Sequence, residues 1–143
     1  MCIELMTIKD YSELYRIWTT TPGMGLRSLD DSEAGIDRFL KRNPTTNFVC
    51  RIENEIVGAI LCGHDGRRGY IYHAVVKESH RNRGIGKELV THVLEALDRD
   101  GIKKAALVVY ADNVLGNRFW ETLGFTDRKD LTYRNRAIDE RNT

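Results

Sequence analysis

The stretch Arg81-Asn82-Arg83-Gly84-Ile85-Gly86 decides the fold, because it lies between two segments of different periodicity. Residues 70–76 before it form an apolar run typical of a strand, and residues 85–97 after it carry apolar side chains at helical spacing. Glycines let the backbone turn sharply, and a helix start offers unpaired N–H groups and the positive end of the dipole. Such a loop suits a phosphate, and arginines add charge that pairs with it. The alternative is an ordinary loop whose glycines serve only the turn.

Two well-known phosphate-binding loops do not match this stretch. The Rossmann loop needs a third glycine, and Leu89 occupies that position. The Walker loop needs a glycine five residues before Gly86 and Ser or Thr after Lys87, where the chain has Arg81 and Glu88. The remaining pattern is R-x-x-G-x-G.

Composition predicts one globular domain over residues 1–143, with a core over about 3–134 and a polar tail at 135–143. Lys plus Arg is 22 and Asp plus Glu is 21, so the chain lacks the basic excess of a dedicated nucleic-acid binder. Positive charge is instead concentrated around the loop, where it suits one anionic ligand. The residues of this patch are Lys77, His80, Arg81, Arg83 and Lys87.

The three cysteines, Cys2, Cys50 and Cys62, form neither a disulfide framework nor a zinc-binding spacing. We therefore expect no metal and a reducing, cytoplasmic environment. No apolar run approaches the length of a membrane span, and residues 1–10 lack the apolar segment of a signal peptide.

Periodicity and turn residues predict the order β-α-α-β-β-β-loop-α-β-α-β-β. The region 30–32 caps the second helix. Strands are expected at 3–6, 47–52, 56–62, 70–76 and 105–110, helices at about 11–18, 33–42, 85–97 and 114–123, a closing hairpin at 125 and 131–134, and a frayed tail from 136.

A second motif follows in the expected place. Asn113 lies just after the strand at 105–110, and Phe119-Trp120-Glu121-Thr122-Leu123-Gly124-Phe125 comes after it. With the loop R-x-x-G-x-G, these residues resemble the GCN5-related N-acetyltransferases (the GNAT family) over nearly the whole chain. The resemblance implies a mixed α/β fold with a mostly antiparallel sheet of six to seven strands and about four helices.

The resemblance also implies that acetyl-CoA is the co-substrate, bound where two strands splay apart. The strand before the loop, at Ala74, Val75 and Val76, would hydrogen-bond the pantetheine arm, and a backbone N–H near Val76 would hold the oxyanion. The pyrophosphate would lie on the amides of Arg81, Asn82, Arg83, Gly84, Ile85, Gly86 and Lys87. Asn113 is either a pantetheine contact, a helix cap, or both. Phe119 and Trp120 would pack near the arm, and the alternative for Phe119 is packing in the core.

The residues that move protons are less clearly marked. Many GNAT proteins have a tyrosine acid where this chain has Trp120, whose indole N–H has no useful acidity. Tyr110 is the nearest hydroxyl, and the alternative for it is a strand-end aromatic. His73 is a candidate base or relay, and the alternative is a sheet histidine with a structural partner.

The function implied is acetyl transfer to a primary amine, either a small molecule or a protein N-terminus, by direct attack in a ternary complex. The partners are then acetyl-CoA and the amine, with a homodimer expected and neither nucleic acid nor membrane. The alternatives are a non-catalytic acyl-CoA sensor, for which Trp120 is the indication, and an unrelated phosphate-binding protein.

Overall fold

The computed structural model of the protein describes residues 1–143 and contains five strands and four helices. The strands are β1 (Cys2–Leu5), β2 (Phe48–Ile52), β3 (Glu55–His64), β4 (Gly69–Val76) and β5 (Ala105–Leu107). The helices are α1 (Tyr11–Thr20), α2 (Glu33–Arg42), α3 (Ile85–Arg99) and α4 (Val114–Thr122), and short 3-10 helices at Ile8–Asp10 and Glu78–His80 precede α1 and α3. None of the helices combines the length and the apolar character needed to cross a lipid bilayer.

The strands form one sheet in chain order, antiparallel from β1 to β4. The β2–β3 hairpin turns at Glu53 and Asn54, both with positive φ, as a tight hairpin requires. Helix α3 then crosses over the sheet, so that β5 pairs parallel to β4. The predicted α/β class with a mostly antiparallel sheet is confirmed, whereas the predicted count of six to seven strands is wrong.

Strand β3 lies at the centre of the sheet and is buried on both faces. Val57, Ile60 and Cys62 pack under α3, while Ile56 and Leu61 belong to the cluster under α1 and α2. The predicted apolar face of α3 is confirmed, since its four residues are at most 3% exposed to solvent. These residues are Ile85, Leu89, Val93 and Leu97. The helix that begins at the phosphate-type loop is thereby fixed to the sheet.

A β-bulge interrupts the pairing of β4 with β3. Ile60 pairs with Ala74, and Cys62 pairs with Ile71. One residue of β3, at position 61, therefore faces two residues of β4, at positions 72 and 73. A bulge of this kind re-aims the side chains that follow it. Ile71 accordingly packs in the α3 cluster, whereas Val75 packs in the α1–α2 cluster.

The C-terminal segment differs from the prediction in two ways. The expected hairpin at 125 and 131–134 is absent, and Leu131 and Tyr133 are 62% and 65% exposed. A further strand would have to form backbone hydrogen bonds with the free edge of β5, and β5 has only three residues with which to pair. The predicted fraying is also wrong at the end of the tail, because Ser28 N donates to Thr143 O at 2.8 Å and Asn142 Oδ1 accepts from the amides of residues 29 and 30.

Candidate functional site

An opening lies between β4 and β5, because the two strands pair over only three residues each. Their ladder ends at Ile71 and Leu107, yet β4 continues to Val76 without a partner on that side. The strand predicted at 105–110 therefore stops at Leu107, where the diverging chain loses its ladder. Exposed Ala74 lies on the unpaired part of β4. Unpaired strand edges can accept an extended ligand as an added strand.

Six consecutive backbone amides beside this opening have no acceptor within the protein. The first bond of α3 runs from Glu88 N to Gly84 O at 3.0 Å, and none of the amides of residues 82–87 donates to a backbone or side-chain atom. Asn82 and Gly84 have positive φ values of 61° and 80°. This alternation of backbone conformations is what turns successive N–H groups into a concave anion site. The helix dipole of α3 adds to the positive potential.

Three cations surround these amides, and none forms an ion pair with a carboxylate. Arg81 Nε donates to Val76 O at 3.1 Å, the Arg83 guanidinium donates to Ser79 O at 3.4 Å, and Lys87 is exposed. Both arginines rest on carbonyl oxygens, which a phosphate oxygen outcompetes because hydrogen bonds between ionised groups are stronger. Lys77, by contrast, is paired with Glu55. The geometry and the charge thus favour a dianionic ligand at residues 81–87.

The loop between α1 and α2 borders the same opening. Tyr110, which follows β5 and is 64% exposed, places its hydroxyl 3.8 Å from where a Cβ on Gly25 would lie. At the other end of this loop, Asp31 Oδ1 lies 2.7 Å from His73 Nε2 on β4. The α1–α2 loop therefore reaches from the chain after β5 to β4. The predicted proton-transfer residues Tyr110 and His73 thus lie near opposite ends of this loop.

Two tyrosines of β4 lie beside this loop. The rings of Tyr70 and Tyr72 are tilted against each other with centroids 4.7 Å apart, and Phe39 meets Tyr72 edge-on at 5.6 Å. Burial raises the pKa of Tyr72, and nearby Cys62 and Asp30 raise it further. A phenol with a raised pKa stays protonated at neutral pH. These hydroxyls are therefore hydrogen-bond donors rather than bases. No group of three or more His, Cys, Asp or Glu side chains is arranged to hold a metal ion.

Comparisons with known proteins identify the family of this chain. The model of the acetyltransferase (GNAT) family matches residues 11–125. The chain belongs to this family. Acetyltransferase ECA0875 of Pectobacterium atrosepticum is 30% identical over 141 residues, which cover 99% of each protein. Acetyltransferase SG1711 of Sodalis glossinidius is 33% identical over 113 residues, which cover 79% of this chain and 78% of that protein.

Solved GNAT structures share the fold. The structure of Ard1 from Thermoplasma volcanium superposes with a TM-score of 0.77 at 24% identity and covers 87% of this chain and 82% of its own. AAC(6')-Iy, solved in complex with the bisubstrate analogue CoA-S-monomethyl-acetylneamine, gives a TM-score of 0.70 at 17% identity, with 95% and 98% covered.

The two glycines of the GNAT-type loop have different roles. Gly84 is left-handed with open space around it, so its backbone conformation excludes a side chain. Gly86 lies within α3, and a Cβ there would approach Phe119 Cζ to 3.0 Å. Phe119 therefore packs on the first turn of α3. Trp120 is partly buried between Phe119 and Phe125, at centroid distances of 5.0 and 5.2 Å.

Asn113 is the N-cap of α4, since its Oδ1 accepts from Gly116 N at 2.9 Å. This bond leaves Nδ2 free to donate elsewhere. Asn117, which the sequence did not single out, donates from Nδ2 to Tyr110 O at 3.0 Å and Asn113 O at 2.9 Å. It thereby fixes the segment after β5 to the start of α4.

Asp31 is the main residue that sequence reasoning missed. The sequence predicts that residues 30–32 cap α2, but the residue that caps the helix is Ser32, whose Oγ accepts from Gly35 N at 3.0 Å. Asp31 is instead 6% exposed and paired with His73. No local signal could have found this pair, since its members are 42 residues apart.

Proposed function

We propose that this acetyltransferase is an N-acetyltransferase that moves the acetyl group of acetyl-CoA to a primary amine by direct attack in a ternary complex. One observation carries the proposal: the six unpaired amides of residues 82–87 lie at the mouth of the opening between β4 and β5. An array of donors beside an unpaired strand edge fits a ligand with a pyrophosphate at one end and an amide-bearing arm at the other.

The residues present fit coenzyme A along its length. The pyrophosphate would lie on the amides of residues 82–87, with Arg81, Arg83 and Lys87 neutralising its charge. The pantetheine arm would run along Ala74–Val76, where β4 lacks a neighbour, and the free Nδ2 of Asn113 would donate to it. The structural relative solved with a CoA-based bisubstrate analogue supports this choice of co-substrate.

The chemistry needs little beyond positioning. Holding thioester and amine in contact converts a bimolecular step into an effectively unimolecular one. A backbone N–H near Val76 would donate to the oxyanion that forms on the acetyl carbonyl. The departing thiolate comes from a thiol with a pKa of about 8.5, which leaves without obligatory acid help. The thiolate can thus leave although Trp120 has no acidic proton to donate. Tyr110 is the hydroxyl that the sequence suggests as an alternative acid.

The acceptor is a primary amine, either a small molecule or a protein N-terminus. It would approach past the α1–α2 loop, beside Tyr72 and Tyr110, which are 56% and 64% exposed. The amine attacks the thioester uncharged, and its nitrogen gives up one further proton to a base as the amide forms. His73 is the base that we assign on β4, because its ring lies at the bulge just before Ala74–Val76.

Two assays together test the proposal. Calorimetry should show binding of CoA and acetyl-CoA and no displacement by ATP or NAD at comparable concentrations. A thiol-release assay over a panel of small amines and N-terminal peptides should show turnover with at least one of them. CoA binding without turnover on every amine would favour the acyl-CoA sensor, and the absence of CoA binding would exclude both readings.

A further inference from the structure

The side chain of Asp31 is held from several directions, more tightly than a helix cap requires. Its Oδ2 accepts from Arg27 N at 2.6 Å, its Oδ1 lies 2.7 Å from His73 Nε2, and its main-chain carbonyl accepts from the Tyr11 hydroxyl at 2.6 Å. The side chains of Asp31 and His73 are 7% and 10% exposed. A buried carboxylate with both oxygens engaged cannot turn away from its partner.

In the neutral form of His73, this contact decides which ring nitrogen carries the hydrogen. An ionised carboxylate only accepts hydrogen bonds, so Nε2 must be the donor, and a neutral imidazole has just one N–H. The other nitrogen, Nδ1, is therefore left with a free lone pair. Nδ1 is buried and has no hydrogen-bond partner in the protein. A buried acceptor without a partner loses the hydrogen bonds that it makes to water in the unfolded chain, which destabilises the fold unless the atom serves another purpose.

A second unsatisfied atom belongs to the ring that packs against His73. Trp18 Nε1 is also buried without an acceptor, and its ring meets the His73 ring edge-on with centroids 5.2 Å apart. An indole N–H only donates, while Nδ1 of the neutral imidazole only accepts. The two atoms are thus complementary. One water between them would have two polar partners, the minimum for an ordered buried water.

The position of His73 connects this pair to the acetyl group. It lies in the bulge of β4, immediately before Ala74 and two residues after Ile71, where pairing with β5 ends. Asp31 belongs to the loop past which the amine would approach. The pair therefore joins the proposed coenzyme strand to the proposed acceptor loop through one hydrogen bond.

We infer that Asp31 is a positioning residue that holds His73 with Nε2 protonated, so that Nδ1 takes the proton of the attacking amine through one bridging water. The inference rests on the proposed function. The amine nitrogen forms its bond to the acetyl carbon, its proton passes to Nδ1, and the C–S bond breaks with its electron pair on the CoA sulfur. The imidazolium faces the Asp31 carboxylate, which offsets its charge, and then returns the proton to the thiolate or to water.

The decisive measurement reads the ring nitrogens directly. A long-range ¹H–¹⁵N spectrum of the wild-type protein, with His73 assigned through His73→Gln, should show Nε2 protonated and Nδ1 bare. Asp31→Asn, whose amide can donate to Nε2, should populate the opposite tautomer. A wild-type ring protonated at Nδ1 alone would overturn the inference without any variant. So would an unchanged tautomer in Asp31→Asn.

Kinetics test the consequence. His73→Gln and Asp31→Asn should each lower kcat by about 10²–10⁴-fold, the range for a general base, with unchanged CoA affinity. The double variant should lose little more, because the two residues act as one unit. Ser32→Ala is the matched control: it removes the neighbouring helix cap without touching His73 and should keep kcat.

The failures are distinguishable. If the wild-type protein does not bind CoA, the proposed function fails whatever the tautomer. If CoA binding and turnover persist while Asp31→Asn retains kcat, only the role of Asp31 fails. Loss of kcat in Ser32→Ala equal to that in Asp31→Asn would also overturn it, by showing a general effect of the loop.

Discussion

Replacing Gly84 with valine should weaken coenzyme binding and leave the protein folded. Gly84 has φ of 80°, and nothing lies within 4 Å of the position that a Cβ would take. A side chain in the left-handed region costs about 1–2 kcal/mol from contact with its own backbone, and a β-branched side chain is the least tolerated there. Since open space surrounds the position of the new side chain, the free variant can relax away from this strained conformation without clashing with a neighbour.

Coenzyme binding would then have to restore the strained loop, so the strain appears as lost affinity. About 1–2 kcal/mol corresponds to a Kd for CoA raised roughly 5- to 30-fold, because 1.4 kcal/mol is a factor of ten. Calorimetry with CoA measures this change directly. Urea unfolding of the same variant shows whether the fold is retained.

Gly66→Val is the matched control for this experiment. Gly66 has φ of 89° and equally open surroundings, but it lies in the turn between β3 and β4. It should suffer the same backbone strain and keep wild-type affinity for CoA. Wild-type affinity in Gly84→Val, or an equal loss in both variants, would refute the reasoning about the loop.

Three further changes have expected outcomes. In Gly86→Ala, overpacking against Phe119, whose Cζ would lie 3.0 Å from the new Cβ, should offset the gain of about 1 kcal/mol that alanine brings to a helix. A urea double-mutant cycle with Phe119→Leu should show that the smaller side chain relieves the contact, and simple additivity would argue against it. Burial raises the pKa of Cys62 from 9.0 to about 12, so the folded state retains a proton that the unfolded state loses. The contribution of the protonated thiol to the free energy of unfolding is complete below pH 9 and declines as the pH rises towards 12. Between pH 9 and 12, the urea midpoint should therefore fall more steeply for the wild type than for Cys62→Ala. Parallel curves for the two proteins would contradict the raised pKa. Arg51 forms ion pairs with Glu4, Asp10 and Glu13, and the side chain of Asp10 is buried. Arg51→Ala should therefore lower the free energy of unfolding by up to about 3 kcal/mol, because it leaves the Asp10 carboxylate without its cation, while CoA affinity stays unchanged in calorimetry. A matching loss of affinity would mean that these ion pairs support the site.

Local patterns were enough to predict most of the fold. The stripe Ile85, Leu89, Val93 and Leu97 gave α3 because helical spacing is set by neighbours in the chain. The meander of β2, β3 and β4 followed from alternating runs separated by short turns. The loop at 81–86 could be located for the same reason, since its glycines and its helix start are adjacent in sequence.

Features that depend on distant partners were not predictable in this way. Residues 131–134 alternate as a strand would, but a strand also needs a free ladder edge, and β5 provides three residues. The pairing of Asp31 with His73 spans 42 residues, and an aspartate before a helix reads locally as a cap. The packing of Phe119 on Gly86 joins two helices whose approach only the assembled sheet defines.

The most direct test of the central claim follows the backbone amides themselves. In a ¹H–¹⁵N spectrum titrated with CoA, the amides of residues 82–87 should shift downfield together as they acquire a phosphate acceptor, with Gly66 unchanged. Saturating binding that left these six signals in place and moved others instead would contradict the account.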